Sequence, residues 1–265
     1  MTKGILAADL HTGHVLGLTP PNYWQGRCRG LQKGLWEWWA HEIKQIGPVD
    51  FAIFEGDLTD GPGRKETLGL WTTDSEEQAD AAAEALDIVR ARERYVCYGT
   101  PLHTVTSLSI ENLVAKKLGV EIRDTLRLKI KGRGWEVRFN TRHVQGRSDI
   151  PTGQGAQTGK EIIREMLQAM IEDFRPADIL SRAHTHYWFR VDLARRIGIS
   201  LPSLMLPDPD RGRIIYARRL RTLYYDVGLV YVEIDRQGEV YIRPRLMPLK
   251  MLVPKEYLCL KAAEN

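Results

Sequence analysis

The sequence predicts an α/β protein built as a sandwich, with two mixed β-sheets packed together and helices outside them. Three observations lead there. Short apolar runs alternate with helical patterns over residues 4–119, a hairpin pattern follows at 126–140, and the last third is rich in β-like runs. The 265 residues are expected to form a single domain spanning 1–265, which is long enough to bury a sizeable core.

Taken in order, GILAAD (4–9) is a short apolar run that reads as a first buried strand. Leu31, Leu35, Trp38, Trp39 and Ile43 recur at helical spacing over 31–46, and Gly47-Pro48 stops that helix. VDFAIFEG (49–56) is a second buried strand. Ser75 opens a long Ala/Glu-rich helix over 75–94, with Glu76 and Glu77 in the first turn, where the helix dipole favours acids. RYVCYG (94–99) is a third strand, and SIENLVAKKLG (109–119) is a helix ending on glycine. This alternation implies a mostly parallel sheet covered by helices on both faces. LRLKIKG and GWEVRFN (126–140) form a hairpin turning at Gly132–Gly134. A helix at about 156–173 and the strand ADILSRAH (177–184) come next. IIYARRL (214–220), VGLVYVEID (227–235) and EVYIRPRL (239–246) make residues 205–265 a β-rich C-terminal part of the second sheet, with a hairpin across Arg236-Gln237-Gly238.

Composition removes several classes. Hydrophobic residues make up 43% of the chain, yet no segment approaches the ~20 consecutive apolar residues of a membrane helix, so no membrane partner is expected. The N-terminus has neither the length nor the cleavage site of a secretory signal. Cys28, Cys97 and Cys259 are scattered, without C-x-x-C spacing. They argue against a disulfide framework or a zinc-thiolate site and fit a reducing cytoplasm. The net charge of +4 permits a polyanionic partner without demanding one.

Polar chemistry gathers where these strands end, at the carboxyl ends where open α/β sheets place their sites. The first strand gives D-L-H (Asp9, His11), and the second gives E-G-D-L-T-D-G (Asp57, Asp60). The third gives Y-G-T-P-L-H-T (Thr100, His103); N-T-R-H follows the hairpin (His143), and R-A-H-T-H-Y ends a later strand (His184, His186). On an extended segment, residues i and i+2 point to one side, so Asp9 with His11, and His184 with His186, can each present a ligand pair. Mixed imidazole and carboxylate ligation suits manganese, iron or zinc. A single D-x-H or H-x-H is common by chance, and D-L-T-D-G is good turn chemistry. Convergence decides between the two readings. Five of the seven histidines fall in these segments, which chance placement does not explain.

In this order the segments A-D-L-H, E-G-D-L-T-D-G, Y-G-T-P-L-H, the isolated His143 and A-H-T-H resemble the signature of calcineurin-like metallophosphoesterases. The G-T-P-L-H form is most similar to enzymes of bacteriophages and mobile elements, which implies a host-cytoplasmic setting. The resemblance implies a four-layer α/β/β/α sandwich and two divalent metal ions, with manganese first and iron, zinc, cobalt, nickel or magnesium as alternatives. It implies hydrolysis of phosphodiester or phosphomonoester bonds through a metal-bridging hydroxide. Asp9, His11 and His186 would hold the first metal, His143 and His184 the second, and Asp57 would bridge. The family's contiguous G-N-H is altered here. Thr100 stands at the asparagine position, as a ligand through its hydroxyl or through a water, and His103, displaced by two residues, is either a general acid or a ligand. Asp60 matches the acid that orients a histidine.

For substrate, Arg211, Arg213, Arg218, Arg219 and Arg221 with Tyr216, Tyr224 and Tyr225, and a second basic stretch over 123–138, suit phosphate forks and base stacking. They point to DNA, RNA or nucleotides, as nuclease or phosphodiesterase. The competing reading of those arginines is a solvated strand face. The competing function is a nucleic-acid-binding or assembly protein on a catalytically degenerate phosphoesterase scaffold.

Overall fold

The computed structural model describes residues 1–25, 28–61, 69–100, 110–146, 151–207 and 226–248. Two sheets face one another. The first is six-stranded, in the order β11 (Val240–Leu246), β10 (Gly228–Ile234), β1 (Thr2–Ala7), β2 (Val49–Glu55), β3 (Ala91–Cys97) and β4 (Ile122–Arg123). The second is five-stranded, in the order β5 (Leu126–Gly132), β6 (Trp135–Arg142), β7 (Ile179–Arg182), β9 (Arg196–Ser200) and β8 (Phe189–Leu193). Both are mixed: β1, β2, β3 and β4 run parallel while β10 joins β1 antiparallel, and β6, β7 and β9 run parallel between antiparallel edges.

Strand alternation sorts the core into three layers. Ile5, Ala7, Ala52 and Phe54 point one way, against Trp38 and Trp39 of α1 (Arg29–Ile46), Ala82 and Leu86 of α2 (Ser75–Asp87) and Val114 of α3 (Ile110–Leu118). Leu6, Phe51, Ile53, Val230 and Val232 point the other way and meet Val137, Phe139, Ile179 and Ile199 of the second sheet. Ile162 of α4 (Pro151–Ile171) packs with Leu180 on the far side. Each such side chain contributes ~1.5–3 kcal/mol on full burial, and the central strands β1, β2, β10 and β7 are apolar on two faces. The parallel sheet is therefore covered by helices on one face only, and by the second sheet on the other, where helices were expected on both.

Other differences have local causes. The helix expected over 75–94 ends at Asp87, because Ala91–Cys97 pairs in register with β2 from Val49 onward. At its other end, the Asp74 carboxylate accepts hydrogen bonds from the amides of Glu76 and Glu77, a cap that offsets orphan donors. The C-terminal strands expected in the second sheet extend the first, since β10 pairs with β1 from Thr2↔Ile234 to Leu6↔Val230. The β8–β9 hairpin was not expected. Its short strands carry Arg190, Asp192 and Arg196, with Arg195 in the turn between them, and these mask the alternation. IIYARRL lies outside the described residues. Among the described residues no helix is long and apolar enough to cross a membrane.

Candidate metal centre

The carboxyl ends of β1 and β2 lie side by side in one sheet, and those of β6 and β7 lie side by side in the other. The loops beyond them stay paired: the amides of Asp9, His11 and Thr12 donate to the carbonyls of Gly56, Asp57 and Leu58, and Ala183 donates to the carbonyl of His143. This stitching brings four distant segments to one rim. Asp9, His11 and His186 form one group of ligand-type side chains, and Asp57, His143 and His184 form another. Within each group the ligand atoms lie within 4.8 Å of one another. Asp9 Oδ1 also stands 3.8 Å from His143 Nε2, which joins the two groups.

The convergence does not come from extended i, i+2 alternation. β1 stops at Ala7 and β7 at Arg182, and the ligand residues beyond them adopt positive φ: Asp9 52°, His11 47°, Asp57 48°, His184 70° and His186 59°. These left-handed turns aim the side chains inward. Gly56 (φ 70°) and Gly99 serve the same rim, since a Cβ on Gly99 would stand 2.1 Å from Asp57 Oδ1.

Hydrogen bonds behind the histidines set which nitrogen faces in. His143 Nδ1 donates to the Glu55 carbonyl at 2.6 Å, leaving Nε2 toward Asp57 Oδ2 at 2.9 Å. His11 Nδ1 donates to Asp60 Oδ1 at 2.9 Å, so its Nε2 faces His186 Nε2 at 3.3 Å. The His184 amide donates to Asp9 Oδ2 at 3.1 Å and holds that carboxylate in place. Its other oxygen, Asp9 Oδ1, is buried without a hydrogen bond of acceptable geometry, although His186 Nε2, His143 Nε2 and His11 Nε2 stand 3.1, 3.8 and 3.9 Å away. A fully buried carboxylate oxygen ringed by imidazole nitrogens is poorly served by protons alone and well served by a cation. The donor set fits a divalent transition metal at each group.

The charges report the same strain. Burial alone would depress His143, but Asp9 and Asp57 attract its proton and raise it to about 10. Burial works against ionised Asp57, yet the hydrogen bond and charge of His143 hold it well below the usual carboxylate range. Asp9 is lowered too, as His186 and His143 outweigh its burial.

Thr100 meets the second group at Asp57. Its amide donates to Asp57 Oδ1 at 2.6 Å, and its hydroxyl lies 3.0 Å from both Asp57 oxygens. It therefore grips the carboxylate. His103 and the arginines at 211–221 lie outside the described residues.

Two acids missed in the sequence stand behind the rim. Glu55, fully buried, bonds the Ser181 hydroxyl, and its burial raises it to about 8 despite Arg182 and His143. Glu111 accepts from the amides of Leu58 and Gly99 and so ties together the loops that carry Asp57 and Thr100; burial and the charge of Asp57 raise it to about 7. An acid inside the apolar run F-A-I-F-E was a readable signal for Glu55. Glu111 looked like an ordinary first-turn acid.

No protein-family model and no curated protein matches the sequence. Solved structures do resemble it. Zinc-bound wild-type Vps29 from Entamoeba histolytica aligns with a TM-score of 0.45 and 15% identity, over 92% of this chain and 99% of that one. An archaeal phosphodiesterase gives 0.46 and 10%, over 92% and 100%. A predicted phosphoesterase from Streptococcus pneumoniae gives 0.40 and 12%, over 93% and 98%. At such scores and identities the likeness bears on neither chemistry nor site residues, which rest on the geometry above.

Proposed function

We propose that the chain is a dinuclear metal-dependent phosphoesterase that hydrolyses phosphodiester or phosphomonoester bonds, with nucleic acid or nucleotides as substrate. The observation that carries this is Asp9 Oδ1, buried and without a hydrogen bond, with three imidazole nitrogens within 3.9 Å. Asp9, His11 and His186 would hold one cation, and Asp57, His143 and His184 the other, with manganese favoured by the mixture of nitrogen and oxygen donors. When bound, the pair supplies Lewis-acid polarisation of phosphoryl oxygens and an activated water.

The protein's own residues prepare that centre. Asp60 and the Glu55 carbonyl fix the inward nitrogens of His11 and His143. Thr100 holds the Asp57 carboxylate, its amide on Oδ1 and its hydroxyl beside both oxygens, while Oδ2 faces His143 and His184. His103 is assigned as the general acid for the leaving group. The reading extends to the phage and mobile-element phosphoesterases and a cytoplasmic setting. The rival is a degenerate scaffold that binds nucleic acid, and what favours it is that Thr100, hydrogen-bonded to Asp57, stands where the resemblance implies an asparagine ligand.

Purified protein with Mn²⁺ is expected to release nitrophenol from bis-p-nitrophenyl phosphate, and Asp57→Asn to reduce the rate to background with its circular dichroism unchanged. Silence with manganese, iron, zinc, cobalt, nickel and magnesium alike, at less than one metal per chain, would overturn the enzyme and favour the scaffold.

A further inference from the structure

The outer face of the second sheet carries a feature that the metal centre does not use. α4 packs over β7, β8 and β9 and leaves the outward side chains of β5 and β6 along an open groove. Two adjoining cavities of about 390 and 410 Å³ line it, and they share Arg127, Asn140 and Glu165. Lys129, Arg138 and Arg175 join Arg127 around the first, and Arg142, Arg164 and Arg182 join it around the second. Against these seven cations stand three acids, Glu161, Glu165 and Glu172. The excess of four equals the net charge of the whole chain, +4, so the remainder of the molecule is neutral on balance. Including the flanking Lys131, Arg196, Glu136 and Asp178 leaves that excess unchanged.

Internal pairing does not discharge this face. Glu161 alone is shared by three guanidinium groups, at 2.8 Å from Arg142, 2.9 Å from Arg164 and 3.1 Å from Arg182. Arg142 Nε is buried without a hydrogen-bond partner while 42% of its side chain is open to solvent. Arg164, 72% exposed, and the exposed Lys129 flank the groove on opposite walls. The groove also has a direction. Its second cavity lies at the carboxyl ends of β6 and β7, where Arg142 directly precedes His143 and Arg182 precedes His184 by two residues.

We infer that this groove binds the phosphodiester backbone of a nucleic acid strand and leads it toward the metal centre. The inference rests on the phosphoesterase reading for its direction, and on the groove alone for binding. Arginine forks match phosphate oxygens bidentately, and an open channel in which seven cations outnumber three acids is the footprint of a repeating polyanion. Phe174, held under the Arg127 guanidinium at 4.6 Å, stiffens the groove floor.

The test is fluorescence anisotropy with a labelled 20-nucleotide single strand and its duplex, on the wild-type protein in EDTA so that hydrolysis plays no part. Binding is expected at 50 mM salt. Lys129→Glu with Arg164→Glu should weaken it at least tenfold and lower the slope of log affinity against log salt by about 2 on the duplex, at ~0.9 for each phosphate no longer neutralised. Lys33→Glu with Lys44→Glu, the same charge change on α1 in the opposite layer, should stay within twofold of wild type. Thermal midpoints would show that both double variants fold. Three results would each overturn the inference: no binding at 50 mM salt, equal weakening by the two double variants, or displacement of the DNA by poly-glutamate or anionic vesicles as readily as by unlabelled DNA. Because no metal is present, loss of the groove and loss of the enzymatic reading are separate outcomes.

Discussion

Of the eight non-glycine residues with positive φ among those described, five are candidate ligands: Asp9, His11, Asp57, His184 and His186. Each such conformation costs of order 1 kcal/mol and persists only where surrounding structure enforces it. Here the enforcement is visible in the paired loop amides and in Gln145, whose buried amide donates to both Thr185 and Ser200 and pins the His184–His186 turn. Strain concentrated on the ligand-type residues is what a preorganised cation site requires. Asp60 supplies a test at this scale. Asp60→Ala removes the acceptor on His11 Nδ1, and it should weaken metal affinity at the first group by ~10–100-fold. Competition against a chelator of known affinity reads this directly, and an unchanged affinity would remove Asp60 from the orienting role.

Among the elements, the attachment of α4 depends on charge as well as on apolar contact. Ile162 anchors it through the core, and Glu161 binds Arg182, whose guanidinium also donates to the Asn140 carbonyl. Glu161 is lowered below its ordinary value: burial opposes ionisation, but Arg182 and Arg142 more than offset it. A depressed carboxyl contributes stability that is present above its unfolded value of 4.5 and lost as pH falls through the folded value. Glu161→Gln leaves Arg182 buried and uncompensated, so it should cost about 3 kcal/mol in urea denaturation at pH 7. The gap from wild type should narrow as pH drops below 4.5 and the native carboxyl takes up its own proton. A gap independent of pH would show that packing, and not charge, is what Glu161 contributes.

At the scale of the whole molecule, the buried groups around the rim act together. Glu55, Glu111 and His143 hold protons in the metal-free fold up to about 8, 7 and 10, against 4.5, 4.5 and 6.5 in the unfolded chain. Raised values of this kind contribute stability at low pH that is lost as pH climbs through them. Asp9 and Asp57, both lowered, act in the opposite sense only below about pH 4. Protein in EDTA should therefore be most stable near pH 5 and lose thermal midpoint steadily toward pH 9. A saturating divalent metal should reverse that trend, because it replaces the proton on His143 and binds more tightly as pH rises. A metal-free midpoint that rises from pH 5 to pH 9 would contradict this charge balance.

The sequence by itself determined the kinds of element, the chemistry at their ends and the pairing of distant motifs. Apolar runs, glycine stops and the acids and histidines of D-L-H, E-G-D and H-T-H are local facts, and a strand or a ligand type is a local property. Tertiary structure decided everything that depends on which surfaces meet. The switch of residues 91–94 from helix to strand, the docking of the C-terminal hairpin on β1, and the helices on a single face of the parallel sheet all follow from free edges and faces that become available only in the assembled sandwich. The same holds for the inward aim of Asp9 and His186, which needs left-handed turns held by loops 175 residues apart. The excess charge of the β5–β6 groove likewise emerges only when strand alternation sorts cations outward and α4 stops short of covering them.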